Sequence, residues 1–66
     1  MKLHEAMIQV LQEKGNLSFK ELAKIIDDNR LYMKKDMSVL TPSQVRLRAK
    51  QYSNLFNVDN DIIGIK

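Results

Sequence analysis

Apolar residues open the chain at helical spacing. In KLHEAMIQVLQEKGN, Leu3, Ala6, Met7, Val10 and Leu11 recur at i, i+3, i+4, i+7 and i+8, which is one face of an α-helix. Gly15, with Asn16 behind it, offers a left-handed C-cap, so this first helix is predicted to stop there. Leu17 is then a lone apolar link. Ser18 stands three residues before Glu21, the spacing of a capping box in which each side chain satisfies a free amide at the helix start. Phe19, Leu22, Ala23 and Ile26 continue at helical period, Ile25 widens the stripe, and a second helix should end near Asp28 or Asn29.

The pattern then loosens. NRLYMKKDMSVL holds Leu31, Tyr32, Met33, Met37, Val39 and Leu40 with no sustained period. A structureless loop of that length is unusual in a small domain, so the stretch reads as a packed loop with room for one helical turn, pinned by Leu31 and Leu40. In TPSQVRLRAKQY the middle alternates as a strand does. Yet Thr41 is a good N-cap, Pro42 suits the first helical position, and Gln44 completes a second capping box. Capping outweighs a short alternation, and a third helix is predicted over residues 41–54. Val45, Ala49 and Tyr52 share its inner face. Ser43, Leu47, Lys50 and Asn54 lie opposite, flanked by Gln44, Arg46 and Gln51. Finally, LFNVDNDIIGI places two apolar runs around Asp59, Asn60 and Asp61, residue types that tolerate the positive φ of a tight turn, so a two-stranded hairpin follows. Phe56 and Val58 on one strand, with Ile63 and Ile65 on the other, should face a common core. Gly64 should mark a bulge or a close backbone approach.

Composition narrows the function classes. Sixty-six residues, 44% of them apolar, suit one small core, and residues 1–66 are read as a single domain. The absence of cysteine excludes disulfides and thiolate zinc sites, and a lone His4 without clustered acids argues against any metal site. No apolar run approaches the roughly 20 residues of a membrane span, and the N-terminus lacks the apolar core of a signal peptide, so a cytoplasmic chain is expected. No nucleophile–base pair or phosphate-cradling glycine loop is legible, so neither an enzyme nor a cofactor is expected. Charge is more informative in its distribution than in its total of +3. Arg30, Lys34, Lys35, Arg46, Arg48 and Lys50 face only Asp36 across the central stretch, while both flanks are slightly acidic. A cation-rich centre suits a phosphate-binding surface, and it also suits an ordinary solvated face.

The order helix, short link, helix, loop, helix, hairpin is that of a winged helix-turn-helix, a mainly α fold with three helices and a short three-stranded sheet, the third strand coming from Leu17. The chain resembles the HARE-HTH family, winged-helix domains of restriction-enzyme fusions, Asx-like chromatin proteins and the delta subunit of bacterial RNA polymerase. EAMIQVLQEKG, LSFKELAKII, TPSQV and LFNVDNDIIGI carry the resemblance and together span nearly the whole chain. The run before Thr41-Pro42 is longer than the family's, and aliphatic Ile63 replaces an aromatic common in the family's hairpin. The resemblance implies a nucleic-acid-associated module, often an accessory to a larger machine, with some members acting mainly through protein contacts.

Two readings of the surface follow. In the first, the chain is a monomer that binds double-stranded DNA weakly. Free amides of Ser43 and Gln44 at the third helix's start would hold a phosphate, and Gln44 and Arg46 would reach adenine and guanine edges. Lys50 with Lys34 or Lys35 would hold further phosphates. Asp59 and Asp61 at the hairpin tip oppose this reading by repelling a phosphate backbone. Leu47 would meet a thymine methyl or anchor a protein. In the alternative, Leu47 and the 30–40 loop dock a DNA-processing enzyme or RNA polymerase. Blander roles are expected elsewhere. Arg48 should pack its stem near the buried side, the four methionines should fill the core, Tyr32 and Tyr52 should be buried rings, and Asp27-Asp28 should end a helix in solvent.

Overall fold

Local capping decides where the helices begin. A computed structural model describes residues 1–34 and 38–66 of the chain. Helix α1 spans Leu3–Lys14, and the Glu5 carboxylate accepts the Lys2 N–H at 2.9 Å before its first turn. Gly15 ends it with φ +80° and ψ −158°, its N–H donating to the Leu11 carbonyl at 2.9 Å. The φ is positive, as expected, but this ψ lies outside the left-handed helical region, in a conformation essentially restricted to glycine.

Strand β1 is the dipeptide Leu17–Ser18, and α2 follows at once over Phe19–Asp28. The Ser18 hydroxyl oxygen accepts the Glu21 N–H at 3.1 Å, and the hydroxyl donates to the Glu21 carboxylate at 3.1 Å. Glu21 thus takes the hydroxyl where a full capping box would have it take the Ser18 amide. Asn29 closes α2 by donating from both its amide nitrogens, backbone and side chain, to the Ile25 carbonyl.

Helix α3 spans Pro42–Gln51 and has the complete box: the Thr41 hydroxyl oxygen accepts the Gln44 N–H, and the Gln44 side-chain oxygen accepts the Thr41 N–H at 3.0 Å. It is shorter than the predicted 41–54. Tyr52 leaves helical geometry with φ −120° and ψ 45°, and the Leu55 N–H donates to the Tyr52 carbonyl in a turn, so Asn54 lies beyond the helix.

Strands β2 (Phe56–Asp59) and β3 (Ile62–Ile65) form the predicted hairpin, with Phe56 opposite Ile65 and Asp59 opposite Ile62. Of the two connecting residues only Asn60 takes positive φ, at +56°. The antiparallel sheet has the order β1-β3-β2, because Leu17 and Ser18 pair with Ile63 and Ile62 on the free side of β3. Among the described residues the result is a small α+β arrangement of three helices and three strands.

One core joins these elements. It contains Leu3, Ala6, Met7, Val10 and Leu11 from α1, Phe19, Leu22, Ala23 and Ile26 from α2, and Val45 and Ala49 from α3, with Leu40, Phe56 and Ile63. Val58 departs from expectation and is 49% exposed. It lies on edge strand β2, with Ile63 as a neighbour on one side and no strand among the described residues on the other, whereas Ile63 is central and flanked by Leu17. The methionines also divide, since Met7 is buried but Met1 and Met33 are exposed, and Met37 falls outside the described residues. Gly64 is a close approach, as predicted: a Cβ there would collide with the Asn16 side-chain amide.

The connection before α3 is anchored at both ends. Leu40 is buried, and Leu31 is half-buried with its N–H donating to the Ile26 carbonyl at 3.0 Å. Arg30 makes the turn with φ +53°. No helical turn occurs among its described residues.

Candidate nucleic-acid interface

Helix α3 has one buried side, through Val45 and Ala49, and two exposed flanks of different chemistry. The first flank faces the start of α2 and the hairpin. Ser43 and Arg46 line a shallow depression there with Ser18, Lys20, Pro42 and Asp61. A second groove continues between α3 and β2, where Arg46, Lys50 and Lys66 stand among Ser53, Asn57 and Val58. Asp61 is the only acid lining either surface among the described residues.

The hairpin turn is fastened to both helices. The Phe19 N–H at the start of α2 donates to the Asp61 carbonyl at 3.0 Å. Arg46 reaches from α3 to the Asp61 carboxylate at 3.1 Å and to the Asn60 carbonyl at 3.5 Å. Its guanidinium lies 4.8 Å from the centroid of the Phe19 ring, a cation–π contact. The sequence reading has Asp61 repelling an approaching phosphate. In the fold its charge is matched to Arg46, and reading a base with Arg46 requires that pair to open.

Gln44 is committed in a similar way. Its side-chain oxygen accepts from both the Thr41 N–H and the Thr41 hydroxyl, so a bidentate adenine contact would require opening the cap. Its backbone N–H is also taken, by the Thr41 hydroxyl oxygen and carbonyl. Of the two amides expected for a phosphate, Ser43 keeps a free one.

The second flank mixes apolar residues with Lys34, Gln44, Arg48 and Gln51. Leu47, 58% exposed, borders a cleft of about 180 Å³ together with Leu3, Tyr32, Lys34, Leu40, Gln44, Arg48 and Gln51. Arg48 is half-buried there, as its position predicts. The fold therefore separates the residues named from sequence. Ser43, Arg46 and Lys50 share the cationic flank, Lys34, Gln44 and Leu47 belong to the other, and Lys35 lies outside the described residues.

Lys20 and Lys66 were missed because each sits in a stretch whose acids balance it. The Ser18 cap was the available signal for Lys20, since it fixes that lysine in the first turn of α2. At the far end of α3, Tyr52 is half-buried and stacks on His4, with ring centroids 4.0 Å apart and planes 18° from parallel. No group of three or more potential metal-binding side chains occurs among the described residues. No helix among them is long and apolar enough to cross a membrane. Comparison with protein-family models, curated proteins and solved structures returned no match.

Proposed function

We propose that this chain is a non-enzymatic winged helix-turn-helix module of the HARE-HTH kind that binds duplex DNA weakly. In this reading α3 meets the major groove and the β2–β3 hairpin is the wing. The observation that carries the reading is the cationic flank: Lys20, Arg46, Lys50 and Lys66 border one continuous face of α3 whose single acid among the described residues is already paired. An α-helix with its side chains is about 10–12 Å across, close to the roughly 12 Å width of the major groove. The Ser43 amide, at the positive end of the helix dipole, donates to a phosphate, and Lys50, Lys20 and Lys66 neutralise others. Arg46, once released from Asp61, is the residue that reaches a guanine edge.

The test is an amide-shift titration with a short duplex at low and moderate salt. Shifts should centre on Lys20, Ser43, Arg46 and Lys50, with affinity in the non-specific range of about 10⁻⁴–10⁻⁶ M. About three phosphate contacts, from Lys20, Lys50 and Lys66, give a log–log salt slope of roughly −2 to −3, so Lys50→Ala should weaken binding and flatten that slope, whereas Arg46→Ala should weaken binding with little change in slope. Absence of any shift at low salt refutes the reading. A second reading, favoured by the exposed Leu47 at its cleft, is that the opposite flank of α3 docks a protein.

A further inference from the structure

The cleft on the second flank has a definite size and charge. Its apolar walls are Leu3, Tyr32, Leu40 and Leu47, and the charged residues at its edge are Lys34 and Arg48, with no acid among its described lining residues. Its volume of about 180 Å³ is below the roughly 300–1,000 Å³ of small-molecule pockets and slightly above the ~150 Å³ apolar cavity that takes one benzene. One large apolar side chain fills such a space. Leu47, 58% exposed, stands at the cleft's border and is accessible to an incoming side chain.

We propose that this cleft is the docking site for an acidic peptide segment of a partner protein, which inserts one aromatic or leucine side chain between Tyr32, Leu40 and Leu47 and places carboxylates against Lys34 and Arg48. Charge complementarity selects that occupant. A second copy of the chain is disfavoured, because a two-fold contact through this cleft brings Lys34 and Arg48 of each copy against those of the other. A phosphate backbone would find the two cations but would leave the apolar walls in water. The inference rests on the protein-docking reading of this flank and does not depend on DNA binding by the other.

The experiment is an amide-shift titration of the whole chain with a short synthetic peptide in which Asp and Glu flank a single Phe. Two control peptides accompany it, one with Phe replaced by Ala and one with every acid replaced by its amide. Shifts should centre on Leu40, Leu47 and Gln51, and either control should bind at least about tenfold more weakly. Leu47→Ala, at an exposed position that leaves the core intact, should cost about tenfold or more. Lys34→Gln and Arg48→Gln should each weaken binding and reduce its salt dependence, whereas Lys50→Ala should leave it unchanged. Equal binding of the acid-free peptide at the cleft overturns the acidic partner but keeps a docking surface, while no cleft shifts with any peptide overturns both. Equal binding of the Phe-free peptide, shifts that follow protein concentration alone, or duplex DNA perturbing the same residues would likewise overturn the proposal.

Discussion

Replacing Asp61 with asparagine tests the proposed DNA-binding flank at its most constrained point. The Arg46–Asp61 pair is 3.1 Å long, with side chains 47% and 86% exposed. A pair this open to solvent is worth about 0.2–1 kcal/mol, so freeing Arg46 lowers DNA affinity by at most about fivefold. The carboxylate carries a second penalty when it stays beside a phosphate. Two unit charges about 8 Å apart in water repel by about 0.5 kcal/mol before salt screens them. Asp61→Asn removes both effects and is expected to tighten duplex binding by roughly three- to tenfold at low salt. The salt slope should stay near the parent's, because the freed Arg46 reads a base edge and adds no phosphate contact. The Phe19 amide still bonds the main-chain carbonyl of residue 61, so the thermal midpoint should fall by no more than about 4–8 °C. Fluorescence anisotropy with a labelled duplex across a salt series, beside thermal melts, measures all three quantities. Unchanged or weaker binding by a folded Asp61→Asn protein refutes the reasoning. In an Arg46→Ala background the gain should shrink to the repulsion part alone. Its full survival there would show that Arg46 is not the residue being held back.

Three further outcomes concern stability. Phe56, 3% exposed between the sheet and the helices, should cost about 3–5 kcal/mol when replaced by Ala, out of roughly 3–10 kcal/mol for a chain this size. Urea denaturation reads this, and a loss below about 1 kcal/mol would detach the hairpin from the core. Thr41→Ala should lower stability by about 1 kcal/mol and Thr41→Ser by much less, because serine keeps the oxygen that accepts the Gln44 amide. Equal losses for the two would locate the effect outside the cap. The Glu5 carboxyl is held below its ordinary value of 4.5, chiefly by the hydrogen bond from the Lys2 amide. Its stabilising contribution is therefore complete above that value and lost as pH falls through the depressed one. Glu5→Gln should remove this part of the acid-side decline in thermal melts, and a pH profile identical to the parent's would contradict it.

Local chemistry in the sequence determined the elements. Gly15, the Ser18–Glu21 spacing, the Thr41-Pro42-Gln44 start and Asn60 all act within three or four residues, so their effects are written in neighbouring positions. Helical period determined most of the core for the same reason, since Leu3 through Leu11 and Phe19 through Ile26 share faces without reference to anything distant. Tertiary structure decided what lies across those elements. Val58 obeys the strand alternation yet stays exposed, because edge position is a property of the β1-β3-β2 order and not of the residue. Arg46 and Asp61 are 15 positions apart, and nothing local marks them as partners until the hairpin folds back to α3. Leu47 looked like a single odd residue on a helix face. Only the tertiary packing that sets Leu3 of α1, Tyr32 and Leu40 beside α3 brings them to it and makes a cleft. The division of α3's exposed surface into two flanks is likewise a product of its neighbours, because pairing and burial between distant residues depend on how whole elements pack.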